Sequence, residues 1–273
     1  MKFKAAVCIE SIFLLIAFIV YFLTQNPFFI FNFVYIGTGI AVGVFLISNG
    51  YLWGRNVVML AVGSYLLFFV GIYGHENISM SGFWYYLFSG VFEAAVIHFL
   101  IAKIVGPLLF GRGWCGYACW TAMIFDLLPY KTPQNPRKSF EHVRYILFLA
   151  ILSFVAGLFI FKIGNIDMIM YYTFVLGNII YYVTGILLAF LIKDNRAFCK
   201  YVCPITVFLK ISSYFSVLRV TVNKNKCVDC EKCLNVCPMD VDMLDNSRKR
   251  VNGTECILCM ECVHVCKNNA LDL

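Results

Sequence analysis

The chain of 273 residues is 61% hydrophobic and only 14% charged, against roughly 45–50% and about 25% in a soluble globular domain. This balance excludes an ordinary soluble enzyme and a disordered chain, and leaves room for several membrane spans plus one small domain. The net charge of +7 does not imply nucleic acid as a partner, because Lys and Arg gather at the ends of apolar runs rather than along a soluble face.

In chain order, six apolar runs reach the length of about 20 residues that a bilayer-crossing helix needs. They are Ala5–Leu23, Pro27–Ile47, Asn56–Tyr73, Tyr85–Val105, Val143–Ile163 and Tyr172–Ile192. The start Met1–Lys4 is basic, but the run behind it has span length and no small-residue cleavage site, so no separate signal peptide is expected. The loop Gly106–His142 contains a short helix candidate at Ala118–Leu128, and Pro204–Val217 reads as a re-entrant or interfacial stretch. With a cytoplasmic N-terminus, the outer loops hold Lys162 alone of the 22 Lys and Arg. The positive-inside bias therefore places both termini on the cytoplasmic side of a prokaryotic cytoplasmic membrane.

Residues 1–217 read as a membrane domain. Residues 218–273 are polar and cysteine-rich, with a strand-like alternation at Leu218–Asn223 and a turn at Asn252–Gly253. The expected fold is a mainly α polytopic membrane protein with a small α+β domain at its C-terminal end, on the cytoplasmic side.

The tail carries Cys227-x2-Cys230-x2-Cys233-x3-Cys237-Pro238 and then Cys256-x2-Cys259-x2-Cys262-x3-Cys266, each cysteine recurring at an offset of 29 residues. Three thiolates on one tight loop suit three corners of a [4Fe–4S] group, and in two-cluster ferredoxins the fourth cysteine of each run serves the other cluster. One cluster is thus expected on Cys227, Cys230, Cys233 and Cys266, the other on Cys256, Cys259, Cys262 and Cys237. Structural zinc would leave the third cysteine of each loop surplus, and a disulfide framework conflicts with the cytoplasmic placement. This segment resembles bacterial-type dicluster ferredoxins, with Lys267 where the second run usually has proline.

Two further pairs have the spacing C-x3-C: Cys115 with Cys119, and Cys199 with Cys203. Each follows a span that ends at the cytoplasmic face, and on a helix i and i+4 share a side. Together they offer four ligands for a third iron–sulfur cluster, [4Fe–4S] or [2Fe–2S]. Transient zinc or copper binding, a dithiol relay and structural thiols remain open. With the segment Gly111-Arg112-Gly113-Trp114-Cys115-Gly116-Tyr117-Ala118-Cys119-Trp120 and the matching Phe198–Pro204, the chain resembles the membrane-bound polyferredoxins of the NapH/NosR/CcoG type. It keeps Pro204 but has Trp120 at the equivalent position of the first pair. The NapH resemblance implies quinol oxidation, and the CcoG resemblance implies an assembly factor that reduces a metal for a maturing enzyme.

Within the fourth run, Glu93 and His98 are ionisable groups at membrane depth, where such residues are often functional; either could accept a proton at a quinone site. Cys8 reads as a small buried apolar residue, and Glu10 as a snorkelling one. Haem is not expected, since His98 has no second histidine inside a span. No phosphate loop or dinucleotide fingerprint is present, so neither flavin nor NAD is expected. The reading that absorbs these features is an electron-transfer subunit of a membrane redox complex. It links ferredoxin clusters to the quinone pool or to a partner redox subunit.

Overall fold

The computed structural model describes residues 2–91 and 94–273. The chain opens with α1 (Lys2–Thr24) and α2 (Phe28–Ser48), joined by a tight turn in which Asn26 Oδ1 accepts the Phe28 amide at 3.0 Å. The two helices approach at Gly37, where a Cβ would stand 2.5 Å from that of Phe13. Small residues permit such close approach in membrane bundles. Glu10 is not simply snorkelling: it accepts a 3.0 Å hydrogen bond from Thr38 on α2. Cys8, expected to be buried, is exposed on α1, because α1 packs mainly against α2 and turns most of its surface outward.

The third run is α3 (Gly54–Ser64) continued by a π-helical stretch, Tyr65–Tyr73. After the fourth region come short helices α6 (Gly106–Phe110), α7 (Gly113–Tyr117) and α8 (Trp120–Phe125), then the long α9 (Val143–Ile160) and α10 (Ile166–Ile192). Five described helices are long and apolar enough to cross a bilayer: Ala6–Thr24, Phe28–Ser48, Gly54–Tyr73, Phe140–Ile160 and Ile166–Ile192. Their outward faces carry Phe22, Leu149, Ile180 and Leu187, all exposed, a pattern suited to lipid.

The fourth run is not one continuous helix over Tyr85–Val105. It begins earlier as α4 (Met80–Ser89) and stops where Gly90 adopts a left-handed φ of 68°, the ordinary glycine helix stop. The chain resumes as α5 (Ala94–Leu100), a π-helical turn at Ile101–Val105, and then α6. At 1.5 Å per residue, α4 rises only about 15 Å.

Beyond α10 lie α11 (Ala197–Tyr201) and α12 (Thr206–Tyr214), the latter within the stretch expected to be interfacial. The C-terminal module contains β1 (Thr221–Val222), α13 (Lys232–Asn235), α14 (Glu261–Val265) and β2 (Leu271–Asp272). Its first and last strands pair antiparallel, Thr221 opposite Asp272 and Val222 opposite Leu271, which closes the module into one unit.

A buried ion cage seats this module on the helical body. Glu255, fully buried, receives Arg144 Nη1 at 2.8 Å and Arg137 Nη2 at 2.8 Å, with Lys210 Nζ at 3.3 Å and Arg112 Nη1 at 3.6 Å. Glu141 shares three of these cations, lying 2.8 Å from Arg137, 3.0 Å from Lys210 and 3.6 Å from Arg144. Burial disfavours the Glu255 carboxylate, yet Arg112, Arg137 and Arg144 together outweigh it and hold its pKa at about 2. A second tie runs through Lys200, whose Nζ bridges Asp194 at 2.7 Å and Asp240 at 2.6 Å. Breaking a buried pair by removing one partner strands the other charge. Replacing Glu255 by alanine should therefore lower stability by about 3–5 kcal/mol, read as an earlier thermal transition in detergent. An unchanged transition would mean that the cage does not seat the module.

Candidate functional site

The two quartets are built by a repeated backbone. In the first loop Asp229 and Glu231 flank Cys230 with φ of 47° and 56°; in the second Leu258 and Met260 flank Cys259 with φ of 52° and 66°. Left-handed backbone at non-glycine residues is strained by roughly 1–3 kcal/mol each and persists where the surroundings over-determine it. Here it turns three successive cysteines toward one centre. The fourth cysteines also match: Cys237 Sγ accepts the Val241 amide and Cys266 Sγ the Ala270 amide, both at 3.3 Å.

Cys227, Cys230, Cys233 and Cys266 line one pocket, and Cys237, Cys256, Cys259 and Cys262 line another. Each pocket thus draws cysteines from both runs. All thirteen cysteines are free of disulfides. Among the described residues no three Cys, His, Asp or Glu side chains converge as the ligands of one metal ion would. A multi-iron group fills a pocket between thiolates, and four cysteines line each pocket. The donor sets therefore fit iron–sulfur groups.

The C-x3-C pairs are placed differently from the expectation of a shared helix side. Cys115 lies on α7 and Cys199 on α11, but both helices end before the second cysteine. Cys119 has extended backbone at φ −82° and ψ 114°, and Cys203 is followed by Pro204, which lacks the amide a continuing helix needs. Each pair is therefore a helical turn and an exit. The pairs still come together, with Cys203 in electrostatic reach of Cys115 and Cys119, and Cys199 in reach of Cys119. Burial pushes the Cys199 thiol up to about 12, against the pull of Arg196. A bound metal would be needed to keep the Cys199 and Cys203 thiols, both raised by burial, ionised at neutral pH.

Two arginines complete this four-cysteine site, and the reading of the sequence missed them as site residues. Arg112 and Arg196 occupy the N-cap positions of α7 and α11, each three residues before a cysteine pair. Each reaches across to the other pair: Arg196 Nη1 donates to the Cys115 carbonyl at 3.0 Å, and Arg112 Nη2 to the Cys199 carbonyl at 3.4 Å. Asp126 holds Arg196 and Arg55 at 2.6 Å each, and Arg55 donates to the Gly116 carbonyl at 3.1 Å. Burial alone would raise the Asp126 pKa, but Arg196 and Arg55 bring it below the ordinary carboxylate range. The repeated R-x2-C-x3-C spacing was the available signal.

The second quartet and the C-x3-C site share a boundary of backbone. A Cβ at Gly116 would stand 2.2 Å from the Ile257 carbonyl oxygen, and the Tyr117 hydroxyl donates to the Leu258 carbonyl at 2.9 Å. Ile257 and Leu258 lie between Cys256 and Cys259, so the two loops touch directly.

On the other side, a largely apolar cavity of about 300 Å³ opens among α1, α2, the third helix and the fourth region, lined by Phe13, Phe33, Leu66, Glu76, His98 and Trp114 among others. His98 meets the Trp114 ring edge-on at 5.3 Å. Neither His98 Nε2 nor Trp114 Nε1 has a hydrogen-bond partner among the described residues. Glu93 lies outside the described residues.

A family model described as "4Fe-4S dicluster domain" matches residues 226–271, and one described as "4Fe-4S binding domain" matches residues 93–137 and 175–223. The first range holds both quartets and the second both C-x3-C pairs. The chain thus combines 4Fe-4S ferredoxin-type domains with helices of bilayer length. Its relatives include an uncharacterized protein of Methanocaldococcus jannaschii, 30% identical over 56% of this chain and 61% of the relative. YccM of Escherichia coli, named as a candidate electron transport protein, is 23% identical over 54% of this chain and 46% of its own. The methylamine utilization ferredoxin-type protein MauN of Paracoccus denitrificans is 26% identical over 53% and 54%. The matches span only 46–61% of the length of these relatives. No solved structure matches the chain.

Iron and sulfide analysis tests the ligand sets. Wild type should carry about twelve irons, and a Cys115→Ser, Cys203→Ser double variant about eight if the C-x3-C site holds [4Fe–4S]. A fall from about ten to about eight would indicate [2Fe–2S]. About eight in both proteins would remove the C-x3-C site as a cluster site.

Proposed function

We propose that this chain is the membrane-seated part of an electron relay, of the NapH/NosR polyferredoxin kind. It carries single electrons between a redox partner at the ferredoxin module and a quinone within the bilayer. In this reading Cys227, Cys230, Cys233 and Cys266 hold the outer cluster. Cys237, Cys256, Cys259 and Cys262 hold the inner one, and Cys115, Cys119, Cys199 and Cys203 hold a third. An iron–sulfur cluster, when bound, supplies a one-electron centre whose potential follows its charge, hydrogen bonds and exposure.

The observation that carries the proposal is the contact at Gly116. The loop bearing Cys115 and Cys119 lies directly on the loop bearing Cys256 and Cys259, with no side chain between Gly116 and the Ile257 carbonyl. Such a glycine is one whose missing side chain lets two backbones meet. Glu255, next to Cys256, is fixed by cations from four parts of the helical body, so the module is held at this contact rather than tethered loosely.

The apolar cavity beside Trp114 supports the quinone end. It adjoins the first C-x3-C pair through Trp114, and His98 offers it a nitrogen that could bond or take up a proton at a quinone oxygen. Apolar walls with a few polar groups are what a lipid-soluble ring requires. The broken fourth region completes the sixth crossing in this proposal, which leaves both termini and the module on the basic, cytoplasmic side. The outer pocket, lined by the exposed Cys230 with Lys226, Lys232 and Lys267, faces the soluble or peripheral partner.

The test is rapid mixing of the reduced, reconstituted protein with a short-chain quinone, following bleaching of the clusters. Wild type should reoxidise completely. Gly116→Val should slow reoxidation of the module while iron content holds, and His98→Leu should weaken the dependence on quinone concentration. A wild-type protein whose clusters ignore quinone would contradict the bilayer end. A Gly116→Val variant with an unchanged rate would contradict the route.

A further inference from the structure

The charges around the three candidate sites differ in kind. At the C-x3-C site three cations are almost fully buried: Lys103, Arg112 and Arg196 are 2%, 1% and 1% exposed. Lys103 Nζ lies 5.6 Å from the Trp114 ring centroid and 5.8 Å from that of Trp120. It thus sits between the two indoles that flank Cys115 and Cys119, and no carboxylate among the described residues is within ion-pair distance of it. Arg196 is paired with Asp126, itself shared with Arg55. Arg112 has only a 3.6 Å ion pair to Glu255, which three other cations also claim. The Nε and Nη1 groups of Arg112 and the Nε of Arg196 have no hydrogen-bond partner among the described residues.

Around the outer quartet the charged groups are mixed and wet. Lys226, Glu231, Lys232 and Lys267 line its pocket and are exposed, and the Asp229 carboxylate stands 3.5 Å from Cys227 Sγ. The inner quartet has the buried Arg250, with Arg112 near Cys256 and Arg55 near Cys259, but these are offset by Asp240 and Glu261 among its neighbours, and neither Lys103 nor Arg196 is among them. Exposed charges are screened by water and salt, whereas buried ones act at much lower effective dielectric. Burial by itself disfavours adding negative charge, so the cations decide the order.

We infer that the buried cations Lys103, Arg112 and Arg196, of which Lys103 has no carboxylate partner among the described residues, make the C-x3-C site the most easily reduced of the three, so that electrons collect at the membrane end of the chain. This rests on the relay proposed above and adds its direction: the chain delivers electrons from the module into the membrane, the reverse of quinol oxidation. For each electron that arrives at the four-thiolate site one leaves the module, which a soluble one-electron reductant restores, and no bond is made or broken. The three residues act as positioning residues. They tune and orient the site without exchanging electrons themselves.

An EPR-monitored redox titration of the full-length protein, reconstituted with iron and sulfide, tests this. The signal absent from the Cys115→Ser, Cys203→Ser variant should titrate at a higher potential than the other two. Lys103→Met should shift that signal alone, with the reduced-to-oxidised ratio at the wild-type midpoint falling by about tenfold. Lys103→Arg, which keeps the charge, should restore the wild-type ratio. A C-x3-C signal that titrates at or below the module's signals, with about twelve irons present, overturns the inference and leaves the relay standing. So does a Lys103→Met protein of full iron content with an unmoved signal. About eight irons in wild type overturns both. Should Lys103→Met fail to assemble, the order of potentials in wild type decides the matter alone.

Discussion

The arrangement depends on one buried carboxylate. Glu255 has no exposed surface, and taking such a group out of water is unfavourable unless cations surround it. Arg112, Arg137, Arg144 and Lys210 supply that surrounding from the N-cap of α7, the connector after α8, the first turn of α9, and α12. Because Glu255 precedes Cys256, the same contact fixes the second cysteine loop against the helical body. Arg112 belongs to both the cage and the C-x3-C site, so the seating of the module and the geometry of that site are not independent.

In the proposed relay three cysteine sets lie in sequence, from an exposed pocket on the module, through an inner pocket, to a site beside an apolar cavity. Rigidity matters to such an order. The left-handed residues around Cys230 and Cys259 and the antiparallel pairing of β1 with β2 fix the module internally, while the crossed bonds of Arg112 and Arg196 fix the C-x3-C pairs to one another. Groups that exchange electrons need stable separations more than they need motion, and every loop that carries a cysteine is tied by polar contacts on at least one side.

The parts of this architecture that were legible in the sequence are those with local signatures. Cysteine spacing at an offset of 29 residues revealed both quartets, because the loop that presents three thiolates is encoded in seven consecutive positions. Apolar length revealed five of the bilayer-length helices. It misjudged the fourth region, where hydropathy continues through Gly90 but the backbone does not. The i, i+4 argument for the C-x3-C pairs assumed that the helix continued, whereas α7 and α11 end before Cys119 and Cys203. Arg112 was read as a topology signal, since a basic residue at a span end has that ordinary meaning. Glu255 carried no signal at all. Its partners are 45 to 143 positions away, and only the fold brings them together.

In the proposed relay the inner quartet and the C-x3-C site are neighbours in one electron route, with the outer quartet one step further away. Spin coupling in the fully reduced, reconstituted protein measures this directly. The EPR signal of the C-x3-C site should be broadened by the reduced inner cluster. That broadening should disappear when Cys256 and Cys259 are replaced by serine while the outer cluster remains. A C-x3-C signal that is unbroadened in the fully reduced wild type would contradict this route.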